Sequence, residues 1–154
     1  MPYALLALVL VILDQVVKYL VLTHIPLGGY VPFLPHVVCL TYVQNTGAAF
    51  SMFSQHTWIL AFISLVMSVV LAVALWKNFF THPLGKVTLS LLLAGAVGNL
   101  IDRAMRGFVV DMFQLLFMNF AVFNVADCFV VCGGIALCLW LLLHWKDKPD
   151  DAAV

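Results

Sequence analysis

The stretch Tyr3–Thr23, YALLALVLVILDQVVKYLVLT, decides the fold: it is apolar almost throughout, interrupted only by Asp14, Gln15 and Lys18. A helix that crosses a bilayer needs about 20 mainly apolar residues, and this stretch supplies them. Three more stretches do the same: Thr57–Trp76, Leu84–Met105 and Val125–Trp145. The expectation is one integral membrane domain over residues 1–154, with four transmembrane helices at about 3–23, 57–76, 84–105 and 125–145. The chain opens Met1-Pro2-Tyr3-Ala4, with neither a basic leader nor a small-residue cleavage site. The first segment is therefore expected to remain as a spanning helix.

Composition agrees. Hydrophobic residues make up 65% of the 154, charged residues only 9%, and mean hydropathy is +1.13. A small soluble domain cannot enclose that much apolar surface in its own core. Seven basic and seven acidic residues cancel, leaving no basic field for nucleic acid. Every acidic residue is Asp, which excludes a zinc protease of the His-Glu-x-x-His type. The histidines are scattered and the cysteines (Cys39, Cys128, Cys132, Cys138) lack zinc-site spacing, so no metal and no cofactor is expected. The cysteines read chiefly as small apolar packing residues.

The connections differ in kind. Residues 24–56 contain Pro26, Gly28, Gly29, Pro32 and Pro35, which forbid a continuous helix. Within them Val37–Val43 reads as a strand and Asn45-Thr46-Gly47 as a turn. Residues 107–124 have the same β-prone character around Asp111. Two such segments, on one side of four spans, predict a small sheet at the membrane surface. Lys77 and Lys86 flank the loop between spans two and three, Lys146 and Lys148 follow span four, and the loop between spans one and two has no Lys or Arg. The excess of basic residues in cytoplasmic loops then places both termini in the cytoplasm. Arg103 and Arg106 fall on the other side, which suggests a local job for them. Trp76, Trp140 and Trp145 suit interfacial belts.

Charges inside spans cost about 2.5–3.5 kcal/mol each at a helix centre, so each requires a reason. Asp14 and Lys18 share a helix face, the spacing of an ion pair. Asn99, Asp102, Arg103 and Arg106 form a polar stripe at the end of span three, near Gly95 and Gly98, whose small size permits close helix approach. Asp102 and Arg106 are placed to pair, and Arg103 to reach a substrate carbonyl. Asp111 has no basic residue within four positions. Asp127 fits an N-terminal capping box with Asn124. Two aspartates brought together cannot both ionise cheaply. One can then activate a water while the other polarises a carbonyl, which is peptide hydrolysis without metal or covalent intermediate. Proton or ion relay in a small transporter, and simple charge pairing in an assembly factor, remain open on these residues alone.

The whole chain resembles the lipoprotein signal peptidases (signal peptidase II), aspartyl proteases of family A8. The resemblance rests on Asp14-x-x-x-Lys18, Asn45-Thr46-Gly47-Ala48-Ala49-Phe50, Gly98-Asn99-Leu100-Ile101-Asp102-Arg103, Val109-Val110-Asp111 and Phe123-Asn124-Val125-Ala126-Asp127, in family order and at family-like spacing. It implies four transmembrane helices with a small extracytoplasmic β-cradle. It implies a catalytic dyad of Asp111 and Asp127, a substrate-binding set of Asn45, Gly47, Asn99, Arg103 and Asn124, and structural support of the site from Asp14, Lys18 and Asp102. The implied substrate is a prolipoprotein carrying diacylglyceryl-cysteine, cut just before that cysteine, in the bacterial cytoplasmic membrane near its outer face. Membrane lipids and globomycin-type inhibitors are the other implied partners, and one domain with an internal site suggests a monomer. Two positions depart from the usual pattern: Cys128 stands where Ser commonly follows the second Asp, and Met112 where Phe is common.

Overall fold

The computed structural model describes residues 2–47 and 57–144. Ala48, Ala49, Phe50, Trp145, Lys146 and Lys148, which carry part of the sequence reading, lie outside the described residues. Among the described residues four helices are long and apolar enough to cross a membrane: α1 (Pro2–His24), α2 (Thr57–Trp76), α3 (Pro83–Arg106) and α4 (Val125–His144). They are joined by a three-stranded antiparallel sheet of β1 (Tyr30–Leu34), β2 (Val38–Asn45) and β3 (Val109–Leu115), in that spatial order.

Local chemistry sets the helix ends. His82 caps α3, its Nδ1 accepting the Leu84 N–H at 3.2 Å, and Pro83 supplies the first helical residue, where a missing N–H costs nothing. Gly107 stops the same helix in a left-handed conformation (φ 77°), its N–H donating to the Arg103 carbonyl. At the start of α4, Asn124 and Asp127 form the reciprocal pair anticipated from their spacing: the Asp127 N–H donates to Asn124 Oδ1 (3.0 Å) and the Asn124 N–H to Asp127 Oδ2 (3.1 Å).

Helix α3 is the axis of the bundle and packs against α1, α2 and α4. Its spanning window is the most buried of the four, whereas α2 buries little beyond Ser68 and presents apolar side chains nearly all round. Two glycines allow the close approach. A Cβ on Gly95 would stand 2.5 Å from the Ala126 carbonyl oxygen, and one on Gly98 would stand 2.5 Å from Asp14 Oδ2. The small residues singled out in span three thus let α3 meet the N-terminal turn of α4 and the acid of α1. At the opposite end of the bundle Lys86 lies over the Tyr3 ring, and Ser90 Oγ donates to the Tyr3 carbonyl. The start of α1 and the start of α3 therefore sit together, away from the sheet. Trp140 packs edge-on against Phe80 there.

The sheet sits on the C-terminal end of α1, through a cluster of Val21, Ile25, Tyr42, Val110 and Met112. Strand β1, exposed throughout, is the edge, where Pro32 and its missing N–H are tolerated. Between β2 and β3 the register slips by one residue, between the pairs Leu40–Phe113 and Val43–Asp111. Beyond that bulge Asn45 pairs with Val109, two residues along from Val43, so its side chain shares a face with Asp111. Residues 116–123 then return beside β3, where the N–H groups of Met112 and Phe113 both donate to the Phe123 carbonyl. That return delivers Asn124 and α4 next to Asp111. The β-prone segment 107–124 is thus one strand and an irregular strap, and Asn45 closes β2 with the chain turning after it.

Two substitutions test the packing. Gly98→Ala forces a methyl into the Asp14 carboxylate and is expected to lower stability in detergent by about 1–3 kcal/mol, the usual cost of overpacking. Gly134→Ala meets nothing within 4 Å. It is expected to leave the thermal midpoint unchanged or slightly raised, through better helix propensity. Parallel thermal melts of the two purified variants check both.

Candidate active site

Asp14, Gln15 and Lys18 of α1 and Asp102 and Arg106 of α3 converge on one cluster. Lys18, fully buried, lies 2.9 Å from Asp14 Oδ2 and 3.1 Å from Asp102 Oδ2, and both acids are themselves fully buried. Arg106 closes on Asp102 Oδ1 at 2.6 Å. Two acids and two bases thus balance, the condition under which buried charge is tolerable. Gln15, to which the sequence reading gave no role, ties this cluster together. Its amide nitrogen donates to Asp14 Oδ2 (3.1 Å), the Gly98 carbonyl (3.1 Å) and Asp102 Oδ1 (3.4 Å). A lone Gln beside an acid in a span was the available signal for it.

The two supporting acids do a second job. Asp102 Oδ2 accepts the Val110 N–H at 3.0 Å, and Asp14 Oδ1 accepts the Ala126 N–H at 2.9 Å. Val110 immediately precedes Asp111 and Ala126 immediately precedes Asp127. Each acid therefore grips the backbone one residue before one of the two membrane-border aspartates. Charged acceptors make these the stronger kind of hydrogen bond.

Asp111 and Asp127 open onto the same cavity, of about 510 Å³, along with Asn45, Asn99, Arg103 and Cys128. Phe120, Val130, Val131 and Cys132 help make the rest of its wall mostly apolar. Asn45 donates to Asp111 Oδ2 (2.9 Å) and Asn124 to Asp111 Oδ1 (2.7 Å). Asn99 donates to Asp127 Oδ1 (2.8 Å), and Asn124 also reaches Asn99 Oδ1 (3.2 Å). Asn124 and Asn99 thus lace the two carboxylates together from β3, α3 and α4. Asn124 itself is fully buried and lies behind the cavity wall. Gly47 also stands behind the wall, its N–H donating to Asn45 Oδ1 at 2.9 Å.

Burial pushes the Asp111 carboxyl up from its ordinary 3.8 to about 6. Hydrogen bonds from Asn45 and Asn124 and the charge of Lys18 oppose that rise, while the nearby charge of Asp127 adds to it. Arg103 lines the cavity with one nitrogen, Nε, buried and without a hydrogen-bond partner, while Nη1 makes long contacts to Ser64 Oγ (3.4 Å) and the Asn99 carbonyl (3.5 Å). Among the described residues it forms no ion pair, so its guanidinium retains donors for a guest. A second cavity, of about 410 Å³, meets the first at Asn45 and Asp111 and is lined on its other side by Gln44, Thr46 and Asn119. Among the described residues no group of three or more His, Cys or Asp side chains is placed to hold a metal ion.

Not all cysteines pack internally as expected. Cys39 is buried, but Cys132 and Cys138 are exposed on the helix surface, and Cys128 and Cys132 belong to the cavity wall. In a bilayer an outward-facing apolar thiol costs little, so membrane helices need not bury it.

The chain is similar to known proteins along nearly its whole length. The family model described as "Signal peptidase (SPase) II" matches residues 6–143. The lipoprotein signal peptidase of Enterococcus faecalis is 44% identical over 148 residues, spanning 96% of this chain and 92% of its own. That of Latilactobacillus sakei is 37% identical over 148 residues, spanning 96% and 98%. That of Streptococcus pneumoniae is 44% identical over 145 residues, spanning 90% and 91%. A solved bacterial membrane enzyme structure, determined by the in meso method at 2.3 Å, superposes with a TM-score of 0.89 at 31% identity, covering 99% of this chain and 94% of that one. With its four apolar helices, its three-stranded sheet and a match along nearly its whole length, the chain belongs to the signal peptidase II family of bacterial membrane proteases.

Proposed function

We propose that this protein is an aspartic endopeptidase that removes the signal peptide from diacylglyceryl-modified prolipoproteins, cutting before the lipidated cysteine. The observation that carries the reading is the pair Asp111 and Asp127, from a strand and a helix N-terminus, opening on one apolar-walled cavity and joined through Asn124 and Asn99. The relatives' name, lipoprotein signal peptidase, supports the substrate class.

In this mechanism Asp111 carries the proton and Asp127 is the carboxylate. Asp127 takes a proton from a water held between the two, and the oxygen attacks the scissile carbonyl. Asp111 donates to the carbonyl oxygen as it gains charge. Collapse of the tetrahedral diol returns a proton to the departing amine, and the dyad is restored. Asn45, Asn99 and Asn124 hold the two carboxylates, and Arg103 offers its free donors to substrate carbonyls. Asp14, Lys18 and Asp102 support them from within the bundle.

The apolar cavity suits the signal-peptide side of the bond, and the polar cavity beyond Asp111 suits the hydrophilic chain after the cysteine. Acyl chains hold the substrate in the bilayer at about 0.8 kcal/mol per buried methylene, so the enzyme need bind only the stretch around the bond. The sheet end of the bundle, and with it the site, faces outward, with both termini cytoplasmic, as the distribution of Lys77 and Lys86 favours. Cyclic peptides of the globomycin type would compete for the same cavity. One chain suffices for this chemistry, which favours a monomer.

Purified protein in detergent should cleave a diacylglyceryl-modified precursor and spare its unlipidated counterpart. Asp111→Asn and Asp127→Asn should each reduce turnover by about 10²–10⁴-fold or more while the protein stays folded. Two folded variants that keep full turnover would sink the dyad.

The raised Asp111 carboxyl also predicts a pH signature. Between its ordinary 3.8 and about 6 the folded protein holds a proton that the unfolded chain releases. Stability should therefore fall as pH rises through that window, and Asp111→Asn should flatten the slope. Thermal melts of both proteins across pH 4–7 read this directly.

A further inference from the structure

Three asparagines donate to the two aspartates, and an amide can turn end over end. Something must hold each one with its nitrogen inward. For Asn45 the carbonyl oxygen is pinned by the Gly47 N–H at 2.9 Å. For Asn124 it is pinned by the Asp127 N–H at 3.0 Å. Both pins are backbone donors, which cannot accept a hydrogen bond, so both amides are fixed with their NH₂ groups toward Asp111. For Asn99 the pin is a side chain: Lys18 Nζ lies 2.9 Å from Asn99 Oδ1. An ammonium also has no acceptor, so it imposes the same orientation, and Asn99 Nδ2 faces Asp127 at 2.8 Å. The neutral contact from Asn124 to that oxygen is longer, at 3.2 Å.

We propose that Lys18 is a positioning residue of the dyad: by holding the Asn99 carbonyl it keeps the Asn99 amide nitrogen on Asp127, and so keeps Asp127 the base and Asp111 the acid. This rests on the aspartic mechanism proposed above and specifies where its proton sits. Lys18 is fully buried and lines neither cavity, so it cannot touch substrate or the attacking water. It acts only through Asn99 and through its charge.

The rest of the surroundings is consistent with that polarity. Asp127 receives the Asn99 amide, the Asn124 N–H and the positive end of α4. Asp111, 1% exposed, receives the Asn45 and Asn124 amides but lies on a strand, with no helix N-terminus behind it. The titratable groups around the pair are Lys18 and Asp14 from α1, Asp102, Arg103 and Arg106 from α3, and Cys128 and Cys132 from α4. Helix α2 contributes none, and β2 only Cys39 and Tyr42. Without Lys18 the Asn99 oxygen keeps only the longer contact from Asn124, so Asn99 turns more readily and can present its oxygen to Asp127. Two facing acceptors repel unless one is protonated, so a turned Asn99 draws a proton onto the carboxylate that must stay ionised to act as the base.

The test must separate this from plain loss of an ion pair. Lys18→Met alone strands Asp14 and is expected to fold poorly. The double variant Lys18→Met/Asp14→Asn removes the pair as neutral groups and leaves a side-chain oxygen for the Ala126 N–H. Both proteins are assayed in detergent on a diacylglyceryl-modified precursor across pH 4–8, with the folded fraction measured by size-exclusion chromatography and thermal melt. The proposal expects kcat per folded molecule to fall about 10–100-fold, KM to stay within about twofold, and the acid limb of the kcat profile to move up by about one pH unit. A folded double variant with an unaltered pH profile overturns it, as does a loss that merely tracks the folded fraction. Asp111→Asn and Asp127→Asn, run alongside, separate the two readings: if they remain active the dyad fails and the role of Lys18 with it, whereas if they are inactive and the double variant keeps its profile, only the role of Lys18 fails.

Discussion

A single ammonium group, Lys18 Nζ, sits where the rest of the site meets. It has Asp14 and Asp102 on two sides and Asn99 on a third, with no access to water. A buried cation is expensive, and the cost is met only because both acids are aimed at it by helix packing. That aim depends in turn on Gly98, the residue that lets α3 stand against Asp14. The acids then extend past the lysine to the Val110 and Ala126 amides, so the same cluster that neutralises the interior also sets the position of Asp111 and Asp127. Stability and site geometry are therefore properties of one network. A change made deep in α1 is felt at the border aspartates.

Much of this was legible in the residues because lipid is an unforgiving solvent. An apolar background makes each polar residue conspicuous, so Asp14, Lys18, Asn99, Asp102 and Arg103 declared themselves before any geometry was known. The spacing Asp14-x-x-x-Lys18 gave the ion pair and Asn124-x-x-Asp127 gave the cap, because both are local and helical. What local spacing could not give is which distant partners join them. That Lys18 would also meet Asp102 and Asn99 depends on the α1–α3 packing. That Asn45 would face Asp111 depends on a bulge between β2 and β3. The edge strand β1 was hidden because Pro32 and its neighbours carry loop signals, and only pairing with β2 makes them a strand.

The surroundings of Asp111 show how a modest scaffold perturbs a carboxyl. Val109, Val110 and Met112 are almost wholly buried beside it, which raises the cost of its charge, while two amides keep it hydrogen-bonded. Withdrawal of water and provision of donors work against each other, and burial wins. The result is an acid that changes state at about 6, well above the ordinary carboxylate range. The two cavities that share Asp111 differ in their walls, apolar toward α4 and more polar toward β2 and the strap.

One edge of Asp127 closes the first turn of α4 and the other faces Asn99. The same side chain is thus a fastener of the helix and, on the proposed chemistry, half of the hydrolytic machinery. A nascent chain whose fourth helix has not yet wound has nothing to hold that carboxylate in place. Proteolytic competence would then arrive only with the fourth helix, which guards the membrane against a half-assembled enzyme.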